Sequence, residues 1–268
     1  MQSRPEDGHK GTFGHAMIIA GKYGMAGASV LAAKACLRSG VGKVTVHIPE
    51  KNNDIVQIYV PEAIIEHDKD SRCFTSLCNL SGINALAVGP GLGTEDATAI
   101  ALHQQLQEAH NIPTVIDADA LNILSMNKTW LNDLPENCIL TPHVGELRRL
   151  ADSANLQDSA QKIASESHCH VVMKGHPTIV YHPDKTCYVC RHGNDGMATA
   201  GSGDVLSGII VSLLAQGYSC KDASEIGVTL HALSGDAAAN VLGHHCMIAS
   251  DIIQYLPEAF RQIENICE

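Results

Sequence analysis

The chain has 268 residues, of which 45% are hydrophobic and 18% charged, and its formal net charge at pH 7 is -11. This length and composition fit one globular domain, and the negative charge argues against nucleic acid or an anionic membrane as a partner. No apolar run approaches the roughly 18 residues of a membrane-spanning helix, and residues 1–14 lack the apolar core of a secretory signal. We therefore expect a single domain over residues 1–268, located in the cytoplasm.

Strand-like and helix-like segments alternate through most of the chain. The predicted strands are short apolar runs at residues 16–20, 43–48, 85–88, 114–117, 138–140 and 171–173, with two more at 178–180 and 186–189. The predicted helices lie at residues 27–39, 95–109, 145–151 and 158–167, and three more follow Asp204, of which the first ends at Gly217 and the others span 222–242 and 250–263. This alternation predicts a mostly parallel sheet covered by helices on both faces.

Glycines and acidic residues follow the ends of five predicted strands. In folds of this kind ligands bind beyond the carboxyl ends of the strands, so we expect these segments to share one site. They are residues 21–27, 89–93, 117–122, 141–146 and 174–178. Taken alone, the glycines at 89–93 are explained equally well by a tight turn, and the chain contains no Walker-type phosphate loop.

Four glycines crowd into residues 193–204, and Asp204 follows the last of them at the start of a predicted helix. A glycine turn at a helix N-terminus presents backbone N–H groups to an anion, here those of Gly201, Ser202 and Gly203. Asp204 opposes that field, but it is well placed to accept a proton from a hydroxyl group held beside a phosphate. The segment therefore indicates phosphoryl transfer.

Five polar residues at the strand ends each have two interpretations. Asp117 and Asp119 either cap the next helix or hold Mg²⁺ through carboxylate oxygens. Glu146 either favours the first turn of a helix or belongs to the same site, and His143 is either a ligand-facing donor or a satisfied loop residue. Lys174 either neutralises a phosphate or is solvated at the sheet edge. The residues alone do not decide between these alternatives.

Ten cysteines are scattered along the chain, and the tight pair Cys187 and Cys190 lies near His182 and His192. Residues three apart in a strand point to opposite faces, so these two thiols are expected to diverge. A zinc or redox role for the pair is not favoured.

The order of the motifs resembles the ribokinase-like superfamily, and within it the NAD(P)H-hydrate dehydratases. The resemblance spans residues 9–257 and predicts a three-layer α/β/α fold with a mostly parallel central sheet. The motifs that carry it are residues 9–14, 27–42, 88–93, 117–122, 140–146, 174–178 and 193–204. Ser202 stands where many relatives have Thr or Ala, a mild change because backbone amides make the anion contact.

The resemblance implies repair of reduced nicotinamide cofactors whose ring has added water. Phosphorylation of the ring hydroxyl turns a poor leaving group into phosphate, which then departs. Asp204 would be the catalytic base, and ADP or ATP the phosphoryl donor, with ADP expected. Mg²⁺ would be held by Glu146, and by Asp117 or Asp119.

The resemblance also implies two sets of binding residues. The residues implied for the nucleotide are Lys174, Gly175, His176, Pro177, Thr178 and Gly203. The residues implied for hydrated NADH or NADPH are Ala28, Gly91, His143 and Asp204.

Family members assemble into tetramers, so a homotetramer is expected, and the epimerase that acts upstream is expected to be a separate chain. Two alternatives stay open at this point. One is a ribokinase-like kinase for a vitamin alcohol such as hydroxymethylpyrimidine, hydroxyethylthiazole or pyridoxal. The other is a nucleotide-binding module without catalysis, although such a module would not need Asp204 and Glu146.

Overall fold

A computed structural model of the chain describes residue 1 and residues 4–151 and 153–267. The strands in these residues are β1 (His15–Ile19), β2 (Lys43–Ile48), β3 (Ile64–His67), β4 (Ala85–Val88), β5 (Thr114–Ile116), β6 (Cys138–Leu140), β7 (His170–Met173), β8 (Thr178–Tyr181) and β9 (Cys187–Cys190). They form one sheet in the order β3-β2-β1-β4-β5-β6-β7-β8-β9. The strands from β3 to β7 pair in parallel. Strand β8 pairs antiparallel with β7, and β9 pairs antiparallel with β8.

Helices cover both faces of the sheet. They are α1 (Ala26–Arg38), α2 (Asn53–Tyr59), α3 (Asp96–Glu108), α4 (Ala118–Met126), α5 (Val144–Leu150), α6 (Leu156–Glu166), α7 (Ser202–Ala215), α8 (Cys220–Leu242) and α9 (Ala249–Cys267). None of these described helices is long and apolar enough to cross a membrane.

The two faces of the sheet bury separate cores because successive side chains of a strand point to opposite sides. Ala16 and Ile18 of β1 pack into a core with α1, α7, α8 and α9. Met17 and Ile19 of the same strand pack into a second core with α3, α4, α5 and α6. This arrangement confirms the predicted three-layer α/β/α fold, and burial on both faces explains why the inner strands are continuously apolar.

Most predicted elements agree with the structure, with three differences. The prediction omitted α2 and β3, and β3 is a four-residue edge strand whose side chains are only partly buried. Helix α7 begins at Ser202, before Asp204, because Gly201 has φ 89° and ends the preceding turn in the left-handed region. Asp204 therefore lies inside the first turn of α7. The prediction that the side chains of Cys187 and Cys190 point to opposite faces is confirmed, since the first is exposed and the second is buried.

Close backbone approach brings the loops after β1, β4 and β5 together. Gly89 has φ 125°, and a Cβ atom there would overlap the carbonyl oxygen of Asp117. The N–H of Gly21 donates to Pro90 O at 2.8 Å, and that of Lys22 donates to Gly91 O at 2.7 Å. Glycine at 89 thus lets the loops after β4 and β5 touch, which assembles one edge of the candidate site.

Candidate functional site

A cavity of about 550 Å³ lies at the carboxyl ends of β5, β6 and β7. Residues 192–195, Met197, Ala198, the first turn of α7 and one side of α8 complete its wall. The predicted site residues that line it are Asp117, His143, Glu146, Lys174, Gly175, His176, Thr178, Ser202, Gly203 and Asp204. Because β5, β6 and β7 are neighbours in the sheet, three segments far apart in sequence meet here.

Lys174 is the charged centre of this cavity. Its Nζ lies 2.7 Å from Asp117 Oδ1 and 3.8 Å from Glu146 Oε2. Asp117 is buried, and its Oδ2 accepts a 2.7 Å hydrogen bond from the hydroxyl of Ser207. Burial by itself would lower the pKa of Lys174, but the charges of Asp117 and Glu146 outweigh it and raise that pKa. Lys174 is therefore a lasting positive charge beside the α7 N-terminus.

Asp204 lines the same cavity, and its carboxyl group is a weaker acid than an ordinary aspartate. Burial and the negative charge of Asp117 raise the pKa of Asp204 to about 7, and the charge of Lys174 offsets only part of this effect. A carboxyl group with a pKa near neutrality is suited to accept a proton from a hydroxyl group. The structure thus brings a potential general base together with the predicted phosphate-binding turn.

The N-terminal turn of α7 is open to an anion because of its glycines. A Cβ atom at Gly203 would lie 3.1 Å from Lys174 Nζ, so only a residue without a side chain leaves the ammonium group undisturbed. The backbone amides of the turn and Lys174 then supply positive potential from two sides. Gly201 itself, which precedes the helix, does not line the cavity.

His143 and Glu146 begin a helix and also line the cavity. His143 Nδ1 accepts hydrogen bonds from the N–H groups of Gly145 and Glu146, while Glu146 Oε2 accepts the N–H of His143 at 2.8 Å. This capping box begins α5, yet both side chains also line the cavity. Since Nδ1 accepts, the ring proton lies on Nε2, which is 3.4 Å from Glu146 Oε1. His143 is thus positioned to donate from Nε2 to a ligand.

Two residues of α8 support the cavity and were not predicted. His231 Nε2 lies 2.9 Å from the carbonyl oxygen of Ser202, which only accepts, so Nε2 donates. Burial lowers the pKa of His231 to about 4, which keeps the ring neutral. Asp236 Oδ2 accepts the N–H of Gly193 at 2.9 Å, and its Oδ1 accepts from Asn194 Nδ2 at 2.9 Å.

A glycine within the predicted helix 222–242 was a signal in the sequence for the contact of Asp236 with residues 193 and 194. Gly235 lies one residue before Asp236, and a Cβ atom there would overlap the side chain of Met197. An isolated glycine inside a helix often marks a close approach. No comparable signal in the sequence pointed to His231.

Ala28 and Gly91 are brought together, but beside the cavity rather than on its wall. A Cβ atom at Gly91 would lie 3.0 Å from the Cβ atom of Ala28, and neither residue is among those lining the cavity. The N–H of Gly93 donates to Asp119 Oδ2 at 2.8 Å. The loops after β1, β4 and β5 thus form a second, adjoining part of the site. Pro177 is exposed in the turn between β7 and β8.

Asp117, Asp119 and Glu146 do not form one set of metal ligands in the described residues. Both oxygens of Asp117 are engaged, by Lys174 and by Ser207, and Lys174 lies between Asp117 and Glu146. Asp119 accepts from Gly93 and Asn122. Mg²⁺ retains several waters and needs only one or two carboxylates beside phosphate oxygens. These acids therefore fit an ion held partly through water and a bound nucleotide, not one enclosed by protein.

The sheet order, the glycine turn that opens α7 and the partly buried acid in its first turn define a ribokinase-like α/β protein. A family model described as NAD(P)H-hydrate dehydratase matches residues 16–258. The chain belongs to the NAD(P)H-hydrate dehydratase family.

Individual relatives agree with this assignment. The chain is 42% identical over 261 residues to the ADP-dependent (S)-NAD(P)H-hydrate dehydratase of Neisseria meningitidis, covering 94% of this chain and 85% of the relative. It is 37% identical over 279 residues to the bifunctional NAD(P)H-hydrate repair enzyme Nnr of Moorella thermoacetica, covering 99% of this chain and 52% of the relative. The chain thus spans about half the length of the bifunctional relatives that it matches.

A solved structure shows the same fold with a nucleotide. The ADP/ATP-dependent NAD(P)H-hydrate dehydratase from Bacillus subtilis, co-crystallized with ATP/Mg²⁺, superposes with a TM-score of 0.82 at 26% identity. The superposition covers 98% of this chain and 94% of that one.

Proposed function

We propose that this chain dehydrates the S-epimer of hydrated NADH or NADPH at the expense of ADP, giving NADH or NADPH, AMP and phosphate. The observation that carries the proposal is Asp204, a partly buried acid with a pKa of about 7 in the first turn of α7, which lines the same cavity as Lys174. The 42% identity to a dehydratase of this specificity supports the same assignment.

The first step is phosphoryl transfer to the ring hydroxyl. Asp204 accepts the hydroxyl proton while that oxygen forms a bond to the β-phosphorus of ADP, and the bond from this phosphorus to the bridging oxygen of AMP breaks. Lys174 and the amides of the α7 turn stabilise the charge on the transferred group. In the second step the carbon–oxygen bond breaks, phosphate leaves, and the adjacent ring carbon loses a proton as the double bond of NADH or NADPH re-forms.

The arrangement of the cavity supports separate positions for the nucleotide and the hydrated dinucleotide. Lys174, Gly175, His176, Pro177, Thr178 and Gly203 would hold the nucleotide. All of these except Pro177 line one continuous wall, and the hydroxyl of Thr178 stiffens the turn by donating to Gly175 O at 2.8 Å. Gly201, Ser202 and Gly203 would supply phosphate-binding amides.

The hydrated dinucleotide would occupy the adjoining part of the site. His143 would donate from Nε2, and Asp204 would face the ring hydroxyl. Ala28 and Gly91 lie close together between the loops after β1 and β4, where a side chain at position 91 would crowd Ala28 and Met25. The reacting hydroxyl would then lie where the two parts of the site meet.

Mg²⁺ fits the nucleotide side of the site. Glu146, Asp117 and Asp119 would orient its water ligands, because their oxygens are already engaged within the protein. When bound, the ion would neutralise charge on the phosphate oxygens. A homotetramer, a cytoplasmic location and a separate epimerase chain stay predictions.

The test is recovery of reduced-nicotinamide absorbance from hydrated NADH in the presence of Mg²⁺, with ADP and ATP in parallel. We expect recovery with ADP and equimolar release of AMP and phosphate. Asp204→Asn should keep the fold and bind ADP, yet turn over about 10²–10⁴-fold more slowly. No recovery with either nucleotide would refute the proposal, and stable phosphorylation of a vitamin alcohol would instead indicate a small-molecule kinase.

A further inference from the structure

A second cluster of ligand-type side chains lies at the β2–β3 edge of the sheet, outside the cavity. His47 of β2 is almost fully buried and lies between Glu66 of β3 and Asp68. His47 Nδ1, Glu66 Oε1 and the sulfur of buried Cys78 all lie within 4.8 Å of one another. None of these residues lines the cavity or has a role in the proposed reaction.

Asp68 determines which ring nitrogen of His47 carries a proton. Besides His47 Nε2 at 2.9 Å, its carboxylate accepts the N–H groups of Asp70, Thr75 and Ser76 and the hydroxyl of Thr75. A carboxylate with so many donors acts as an acceptor only, so Nε2 must donate to it. In the neutral ring, this leaves the lone pair on Nδ1.

The lone pair of Nδ1 then faces a second acceptor. Glu66 Oε1 lies 3.2 Å from Nδ1, and two acceptors at that distance need a cation between them, either a proton or a metal ion. A tetrahedral zinc ion with bonds of about 2.0–2.3 Å holds neighbouring ligand atoms roughly 3.3–3.8 Å apart. The separation of Nδ1 and Oε1 is close to this range, and the sulfur of Cys78 lies within 4.8 Å of the ligand atoms of both residues.

The surrounding interactions match those of known zinc sites. A histidine that binds zinc through one nitrogen almost always donates from the other to a carboxylate or carbonyl, which orients the ring. Asp68 provides this support for His47. Imidazole and thiolate donors select zinc-type transition metals over Mg²⁺ or Ca²⁺.

We propose that His47 Nδ1, Glu66 Oε1 and Cys78 Sγ bind a divalent transition-metal ion of the zinc class, with Asp68 orienting His47. On binding, the sulfur–hydrogen bond of Cys78 is replaced by a sulfur–metal bond, and the proton is released to solvent. Glu66, whose side chain is 33% exposed, provides the route by which the ion enters, and water completes the fourth position.

The ion would anchor the long connection between β3 and β4 to the edge of the sheet, because Cys78 lies in that connection and the other two ligands lie on β2 and β3. Residues 68–84 join β3 to β4 without a helix or strand of their own, and connections of this length are uncommon in compact domains. Within this segment Arg72 O accepts the N–H of Tyr23 at 2.7 Å. Tyr23 lies in the loop after β1, so the ion would stabilise a segment that supports the substrate side of the site.

Binding is tested with Co²⁺ on the full chain, purified with a chelator and then desalted. We expect one equivalent of Co²⁺ to produce a thiolate-to-cobalt charge-transfer band and visible bands of tetrahedral Co²⁺, both abolished by Zn²⁺. Cys78→Ser should lose the charge-transfer band. Cys73→Ser is the matched control, since Cys73 lies in the same connection outside the cluster, and it should keep the band. A wild-type protein without the band, or a band that survives Cys78→Ser, would overturn the proposal.

A second variant keeps the test decisive if Cys78→Ser does not fold. Glu66→Gln changes a partly exposed side chain and should fold, with Co²⁺ affinity reduced by at least about 10-fold. Zn²⁺ should also raise the melting temperature of the wild type and of Cys73→Ser, but that of Glu66→Gln much less. Unchanged affinity in Glu66→Gln would show that Glu66 is not a ligand and would overturn the proposal. Neither readout depends on the dehydratase activity.

Discussion

The ammonium group of Lys174 lies 2.7 Å from the carboxylate of Asp117, although 57 positions separate the two residues in the chain. The pair is possible because β5 and β7 flank β6, so that residues directly after β5 and β7 meet at one edge of the sheet. It gives the cavity a cation that the protein itself holds in place beside the phosphate-binding turn.

Replacing Lys174 should lower both the stability of the protein and its affinity for ADP, and a second substitution should restore only the stability. In Lys174→Met the buried carboxylate of Asp117 loses its partner, which should lower the free energy of unfolding by about 3–5 kcal/mol. The double variant Lys174→Met/Asp117→Asn should recover most of this stability, because no uncompensated charge remains, but it should not recover ADP binding. Denaturant unfolding and calorimetric titration with ADP measure the two effects. Recovery of ADP affinity in the double variant would show that Lys174 does not contact the nucleotide.

The raised pKa of Asp204 predicts the pH dependence of activity. A base must be deprotonated, so kcat/KM should rise with pH through an apparent pKa near 7, the value for Asp204 in the free protein. Asp119→Asn removes a neighbouring negative charge that contributes to this raised value, so its rise should occur at lower pH. Rate profiles from pH 5 to 9 on both proteins test this. A rise at the same pH in Asp119→Asn would remove Asp204 as the titrating group.

The same pKa predicts an effect on stability. A carboxyl group whose pKa rises from 3.8 in the unfolded chain to about 7 in the folded protein binds a proton more tightly when folded. Its contribution to stability is therefore complete below pH 3.8 and is lost as pH rises toward and through 7. Asp204→Asn does not titrate, so its melting temperature relative to the wild type should increase between about pH 4 and 7 and then level off. A constant difference across this range would contradict the prediction.

Gly201 and Gly203, on either side of the first residue of α7, should respond differently to alanine. Gly201 has φ 89°, and a Cβ atom there would overlap Leu31, so Gly201→Ala should destabilise the fold. Gly203 lies in α7, where a Cβ atom would meet the flexible end of Lys174 at 3.1 Å and make ordinary contact with Asp117 Oδ2 at 3.7 Å. Gly203→Ala should therefore keep its melting temperature and lose ADP affinity. Equal melting temperatures in the two variants would refute this distinction.

Asp236 should influence nucleotide binding indirectly, because it holds the loop that contains Gly193 and Asn194. In Asp236→Asn the amide group cannot accept from both Gly193 and Asn194, and the loss of one such hydrogen bond costs about 1–3 kcal/mol. We expect KM for ADP to rise by about 10-fold with kcat nearly unchanged, because Asp236 does not line the cavity. Asp222→Asn, at the exposed start of the same helix, is the matched control. A change confined to kcat would instead place Asp236 in the chemical step.

The parallel core of the fold was predictable because its strands are short, continuous apolar runs that end near glycine or acidic residues, and because its helices have clear periodicities. Strand β3 was not, since it is short, lies at the edge and is only partly buried, so its sequence carries no run of buried residues. Helix α7 was placed too late because the left-handed conformation of Gly201, rather than Asp204, marks its start.

The residues of the candidate site were mostly predictable, but their partners were not. His143 and Lys174 were selected from separate motifs, and only the pairing of neighbouring strands shows that their backbones form a bridge. His231 and Asp236 lie within a helix predicted from its periodicity, and their contacts depend on how α8 packs against α7 and residues 193–197. Pairings of this kind depend on tertiary packing, which a single sequence does not specify locally.

The turn between β7 and β8 has a consequence for how the protein can evolve. It joins the last parallel strand to an antiparallel hairpin at the margin of the sheet, so insertions or substitutions there leave the register of β4, β5 and β6 untouched. In the proposed function two exposed residues of this turn, His176 and Pro177, hold the nucleotide. Changes at these two positions would then act on donor binding and leave in place the proposed cofactor side of the site, at the loops after β1 and β4.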